Sequence, residues 1–203
     1  MKDLVYEVKM FNTADVAEQL SHAHLQTERQ RRIAGMKRKE AIAASLLGDW
    51  LARRLAAELT GSRPEDLLIV EGENGKPYLQ GAKAEISISH SGLYSAAAAA
   101  RRPVGIDLER TRPLPKSVAL RICSPEELRW VYARAELALS RFFRLWTMKE
   151  AYGKMQGTGI FSSRQFNARF VEDTLLELYP DCLFLFPEAP AGYTLSVCLH
   201  RDQ

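Results

Sequence analysis

The stretch LYSAAAAARRPVGIDLER, residues 93–110, decides the fold because its two parts carry opposing local signals. The alanine run Ala96–Ala100 favours helix by intrinsic propensity. It stands, however, between two segments that read as strands. EISIS, residues 85–89, puts Ile86 and Ile88 on one face, and PVGIDLE, residues 103–109, alternates strictly. That position predicts a buried strand for the alanines. In the second segment the period of two sends Val104, Ile106 and Leu108 to one face and Gly105, Asp107 and Glu109 to the other. Pro103 marks the first residues of the strand, and Gly105 permits a close backbone approach.

Outward from this centre, MKDLVYEVKMFN at the N-terminus reads as a strand through Leu4, Tyr6 and Val8, and a helical stretch follows from about Asp15. A longer helix runs through KRKEAIAASLLGDWLARRLAAELTG, with Ile42, Leu46, Trp50, Leu51, Leu55 and Leu59 as its core stripe and Gly61 as its stop. LLIV at 67–70, a turn at GENGKP and the EISIS strand then read as a meander. SPEE at 124–127 offers Ser at N-cap, Pro at N1 and Glu at N3, predicting a helix to about Ala135. In RFFRLWTMKEAYGKMQGTG, residues 141–159, Leu145, Met148, Tyr152 and Met155 form one apolar face of a helix. Trp146, Glu150 and Lys154 occupy the opposite face, flanked by Lys149 and Gly153. A Trp there requires that this side also meet something, protein or ligand. FNARFV, LLELY, CLFLF and YTLSVCLH read as short strands closing a second sheet. Helices followed by strands in both halves predict an α+β fold.

At 203 residues the chain forms one large domain or two small ones sharing an interface. A net charge of +3 is too small to argue for nucleic acid by itself, but Arg29, Arg31, Arg32, Lys37, Arg38 and Lys39 cluster in one run, either a solvated face or a phosphate site. Cys123, Cys182 and Cys198 form no CxxC, and their odd number argues against a disulfide framework. With no apolar segment of about 20 residues and no signal-peptide pattern, the expectation is a cytoplasmic protein without a membrane partner.

Asp107 and Glu109, at i and i+2 on a strand, stand about 6.5–7 Å apart at the backbone and repel unless a cation lies between them. Should Glu150 approach them, the three carboxylates form an all-oxygen site suited to Mg²⁺, which characteristically shares carboxylates with substrate phosphates. Candidates for the phosphate side are the basic run, Lys76 after an Asn-Gly turn, Lys149, Lys154 and His90. Ser89, His90 and Ser91 place small donors beside backbone N–H groups at a strand end, as an anion site would. GENGKP lacks the spacing and the Ser or Thr of a Walker A loop.

With GKP, ISISHSG, PVGIDLE and WTMKEAYGKMQGTG in this order, the sequence resembles the 4'-phosphopantetheinyl transferases, specifically the larger surfactin-type group, over nearly its whole length. The resemblance implies a pseudo-dimer of two similar α+β halves with the active site in the cleft between them. Residues 1–102 would supply coenzyme A phosphate contacts, and 103–203 the metal carboxylates, catalytic helix and carrier-protein contacts. It implies that coenzyme A binds with Mg²⁺, that a serine of an acyl or peptidyl carrier protein attacks the β-phosphate, and that 3',5'-ADP leaves.

By the same resemblance Asp107, Glu109 and Glu150 look like the metal ligands and Lys154 like the lysine beside the transferred phosphate. Lys76, Pro77, Ser89 and His90 look like parts of the coenzyme A site, with Lys149 added from the basic candidates. Arg29 and Arg32 match positions serving the 3'-phosphate. Relatives often carry a base where this chain has Ala43, Ala44 and Ser45, which Lys37 or Arg38 would have to replace. Glu150, Glu109 or a water is left as the acceptor of the serine proton. A monomer that binds no nucleic acid is expected. Two rival readings, a Mg²⁺-dependent phosphodiesterase using water and a basic nucleic-acid-binding module, leave the four ordered motifs unexplained.

Overall fold

In the computed structural model, which describes residues 4–10, 27–72, 74–113, 115–158, 168–172, 174–177 and 182–201, the alanine run is a strand. The elements are β1 (Leu4–Met10), α1 (Glu28–Ala34), α2 (Lys39–Thr60), β2 (Leu68–Glu71), β3 (Pro77–Gln80), β4 (Glu85–Ser91), β5 (Tyr94–Ala100) and β6 (Val104–Arg110). They continue with α3 (Lys116–Ile122), α4 (Pro125–Tyr132), α5 (Ala138–Gln156), β7 (Arg169–Val171), β8 (Thr174–Glu177), β9 (Cys182–Leu185) and β10 (Tyr193–His200). The helical stretch expected from Asp15 lies outside the described residues, as do Phe166, Asn167, Leu178 and Tyr179 of the expected late strands.

Two antiparallel three-stranded sheets organise this mixed helix-and-sheet architecture, β1-β5-β4 and β6-β10-β9, with β2-β3 and β7-β8 as separate hairpins. β5 is central in the first sheet and is buried on both faces. Ala97 and Ala99 pack with Leu51, Leu55 and Ile86 in a core under α2, whereas Ala96, Ala98 and Ala100 join Val104, Ile106, Leu108 and Val197 in a second core between the sheets. A methyl group is the largest side chain that favours neither face, and burial on both sides overrides the helical propensity of alanine. A third core forms beneath α5 from Phe143, Leu145, Met148, Met155 and Cys198.

The long helices follow the sequence pattern with one shift. α2 buries Leu47, Leu51, Leu55 and Leu59 with Ala43, Ala44, Ala52 and Ala56, while Ile42, Leu46 and Trp50 are only half-buried. The small residues turn inward because the helix lies on the alanine strand, and Gly48 faces Ile88, whose Cγ2 would stand 2.5 Å from an added methyl. Trp50 instead carries Lys9 and Arg54 over its ring at 5.0 and 5.5 Å. α4 begins with the expected reciprocal cap, Glu127 N to Ser124 Oγ at 3.2 Å and Ser124 N to Glu127 Oε2 at 2.7 Å. It ends at Tyr132, and Ala135–Leu137 forms a short 3₁₀ turn.

Gly105 of β6 makes the closest packing. A methyl there would overlap the Ala151 carbonyl oxygen and stand 2.7 Å from the Met155 backbone nitrogen. These are backbone atoms of α5 and cannot rotate aside. Gly105→Ala is therefore expected to cost at least about 3 kcal/mol, lowering the melting temperature by roughly 6–12 °C for a chain of this size. Thermal unfolding followed by circular dichroism checks it, and a melting temperature within about 2 °C of the parent would contradict this packing.

Candidate active site

The chemistry gathers where β4 meets β6. These are edge strands of different sheets, and no main-chain ladder joins them. Three serines on alternate positions of β4 take that place: Ser87 Oγ accepts from Ile106 N at 3.0 Å, Ser89 Oγ from Leu108 N at 3.2 Å, and Ser91 Oγ from Arg110 N at 3.0 Å. Each hydroxyl retains a proton to donate. Ser89 gives its proton to Asp107 Oδ1 at 2.9 Å and Ser91 to Glu109 Oε2 at 2.9 Å, so the joint between the sheets also fixes both carboxylates.

From the other side, Lys154 of α5 reaches Asp107 Oδ1 at 2.7 Å and the Ile106 carbonyl at 3.2 Å. Asp107 is 4% exposed, and its second oxygen, Oδ2, is buried and accepts no hydrogen bond. Burial, then the neighbouring Asp107, pushes the Glu150 carboxyl up to about 7, with Lys154 opposing and Glu109 adding to the rise. The same two causes raise Glu109, which Ser91 and Arg112 partly offset. Among the described residues no three Asp, Glu, His or Cys side chains are already arranged as a metal cage. The donor set nonetheless fits a hard divalent cation: mutually repelling carboxylates, one of them with an unshared buried oxygen.

Beside the carboxylates opens a pocket of about 310 Å³, lined by Arg29, Arg32, Lys76, Pro77, His90 and Lys154 among others. Asn74 and Lys76 belong to the turn between β2 and β3, where Gly75 adopts φ 74°. They cross to the end of α5: Asn74 Nδ2 donates to the Gly157 carbonyl at 3.0 Å and Lys76 Nζ to the Met155 carbonyl at 2.8 Å. Cations suit a helix C-terminus, where carbonyls lack partners within the helix. Desolvation, followed by Lys154, lowers the His90 imidazole below its usual range. His90 lines the pocket and is exposed to solvent.

Of the residues expected at the site, Lys149 does not reach it. Its side chain is 2% exposed, and its ammonium pairs with Glu127 Oε2 at 2.8 Å and donates to the Ile122 carbonyl at 3.1 Å. Glu127 also accepts from Ala168 N at 2.9 Å. Lys149 thus ties α5 to α4 inside the protein, a correction to its expected contact with phosphate. Trp146 meets protein, packing near Phe142 at a centroid distance of 5.9 Å against the core beneath α5. The pocket also includes Ser45, Ser87, Met36 and Asn74, which no motif in the sequence assigns to it. Ser45 offers a hydroxyl where a base was missed, and its buried position on α2 carried no separate signal in the sequence.

Two family models match the chain in succession: one described as 4'-phosphopantetheinyl transferase, N-terminal, over residues 14–102, and one described as 4'-phosphopantetheinyl transferase superfamily over 103–196. A 4'-phosphopantetheinyl transferase of Bacillus subtilis is 31% identical over 189 residues, 89% of this chain and 84% of the relative. The 4'-phosphopantetheinyl transferase Sfp of Bacillus subtilis strain 168 is 30% identical over 184 residues, 86% and 82% of the two chains. HetI of Nostoc, also a 4'-phosphopantetheinyl transferase by name, is 30% identical over 165 residues, 72% and 70% respectively.

Two outcomes are expected. Glu150 binds a proton more tightly in the folded chain, where its pKa is about 7, than in the unfolded chain near 4.5, so its contribution makes stability fall as pH rises across that interval. Carboxyl-carbon NMR should show this titration near neutrality, moving down in Asp107→Asn because Asp107 is one of its causes. Lys149→Ala, leaving Glu127 buried without its cation, should cost about 3–5 kcal/mol in urea unfolding.

Proposed function

Since this chain belongs to the 4'-phosphopantetheinyl transferase family, in its surfactin-type group, we propose that its pocket binds coenzyme A and that the neighbouring carboxylates hold Mg²⁺. The enzyme transfers 4'-phosphopantetheine from coenzyme A to carrier proteins. The acceptor is the serine of an acyl or peptidyl carrier protein, and 3',5'-ADP is the product released. The observation that carries the site assignment is the meeting of Arg29, Arg32, Lys76, His90 and Lys154 in one pocket beside Asp107. The two successive family matches are consistent with two halves meeting near residue 102, and the proposed arrangement is a pseudo-dimer of similar halves with the site in the cleft between them.

Asp107, Glu109 and Glu150 would hold the metal, which when bound neutralises charge on the pyrophosphate. The unshared Asp107 Oδ2 is the natural first donor. Arg29 and Arg32 face the 3'-phosphate, and Lys76 and His90 the remaining phosphates along the pocket. Pro77 and Ser89 complete the site, Pro77 as wall and Ser89 by holding Asp107 at 2.9 Å. Lys154 lies where charge gathers on the transferred phosphoryl group, compensating it without moving. Glu150 or Glu109, directly or through water, would accept the serine hydroxyl proton. The working form is a cytoplasmic monomer.

The test is incubation with coenzyme A, Mg²⁺ and an apo carrier protein, followed by intact-protein mass spectrometry. The expected result is a phosphopantetheine adduct on the carrier serine that does not form when a chelator is present from the start. Release of 3',5'-ADP without any carrier would point instead to hydrolysis. Lys154→Ala should lose about 10²–10³-fold in turnover, comparable to loss of one transition-state donor. Because Asp107 is buried, this variant should also lose about 1–3 kcal/mol of stability, more than an exposed pair would cost. Turnover near that of the parent would remove Lys154 from the reaction.

A further inference from the structure

We propose that Glu71 is a built-in competitor for the 3'-phosphate, occupying the anion position between Arg29 and Arg32 until coenzyme A displaces it. This rests on the reading of the pocket as the coenzyme A site. Arg29 is 10% exposed at its side chain and is held in two directions. Its Nε and Nη2 grip Asp49 at 3.1 and 2.9 Å, and Asp49 is itself 4% exposed within α2. The remaining nitrogen, Nη1, donates to Glu71 Oε1 at 2.6 Å. Arg32 Nη2, from the next turn of α1, donates to the same oxygen. Two guanidinium groups thus converge on one acceptor. Both arginines line the pocket, and the carboxylate they share comes from the last residue of β2.

The two carboxylates have different parts. Asp49 is buried and bidentate, so it positions Arg29 and stays. Glu71 is 24% exposed at its side chain and holds the arginines through one oxygen only, on a strand end from which the side chain can swing outward. A phosphate monoester carries about −1.5 to −2 charge at pH 7 and three acceptor oxygens, against one charge for the carboxylate. It can take both guanidiniums in place of Glu71. A ligand lacking that phosphate has no means to displace Glu71 and binds with the contact intact. The exchange keeps the arginines oriented in the free enzyme and limits the affinity of every ligand carrying a 3'-phosphate. In the proposed reaction these are both coenzyme A and the 3',5'-ADP that must leave.

Glu71→Gln removes the competing charge and keeps the shape. Calorimetric titration of the full chain with coenzyme A and with 3'-dephospho-coenzyme A should show the first tightening by about three- to tenfold, the range of one partly exposed charge pair. The second should change less than about twofold, so that the preference for the phosphorylated ligand increases. Glu71→Ser, with melting temperature recorded on the same samples, separates this from a distorted hairpin and should act in the same direction. Unchanged or weaker coenzyme A binding in both variants, while the parent still prefers coenzyme A over its dephospho form, overturns the role of Glu71 and leaves the arginine site standing. A parent that does not distinguish the two ligands overturns both, and one that binds neither overturns the coenzyme A reading itself.

Discussion

Three serine hydroxyls hold the two sheets in register, and the candidate site depends on that joint. Among the described residues β4 and β6 each end a three-stranded sheet, so each presents main-chain groups with no strand there to pair them. Buried and unpaired, such an N–H costs about 1–3 kcal/mol. Ser87, Ser89 and Ser91 accept from the N–H groups of Ile106, Leu108 and Arg110, alternate residues of β6, the first two of them buried. A hydroxyl accepts and donates at once, which an apolar residue cannot do and a longer amide could not do at this separation. The second bond of Ser89 and of Ser91 goes to the acidic residue adjoining the N–H it accepts from. Carboxylate placement therefore follows from the way the sheets are joined, rather than being added to it.

That joint is possible only because the layers around it are thin. Alternate alanines of β5 face α2 and the opposing sheet, and Gly105 lets α5 lie directly on β6. A larger side chain at either place would lift a helix or a sheet away from the serines, at the cost of both the hydrogen bonds and the dispersion contacts. The packing constraint and the polar one select the same short residues. This consistency between levels explains how a segment with helical propensity is held as a strand.

Much of this was legible in the chain. Strict alternation through Val104–Glu109 fixes which residues face the core, and the position of Ala96–Ala100 between two strands outweighs their propensity. The apolar face of α5 through Leu145, Met148 and Met155 follows from helical spacing alone. The same spacing could not sort the charges on its other faces. Lys149 and Lys154 look alike in sequence, yet one meets Glu127, 22 residues earlier and buried, and the other meets Asp107. Which cation faces a pocket is set by the partner brought by another element, and periodicity within one helix contains no trace of it. The inward turn of Leu47 and the alanines of α2 was hidden for a similar reason, since the facing surface is itself made of alanine. Asp49 and Glu71 gave no signal because each acts through arginines 20 or more residues away.

The pocket is bounded by bonds that span long stretches of the chain on two sides, and this bears on how its charges can coexist without ligand. At one wall the serines bind β6; at the other, Asn74 and Lys76 bind carbonyls at the end of α5. Between them Lys154 leans on Asp107, and Arg29 on Asp49 and Glu71. Each of these cations has a carboxylate or carbonyl to hold it, so the positive lining is fixed without ligand and does not spread through mutual repulsion. Such preorganisation lowers the entropy lost on binding. It also means that an incoming anion exchanges partners with groups already in place, and affinity is decided by which of those internal contacts survive. Asp49 and the backbone carbonyls are contacts that survive, being buried or covalently fixed in a helix or strand. Glu71, more exposed than Asp49 and held through one oxygen, is the contact proposed to yield.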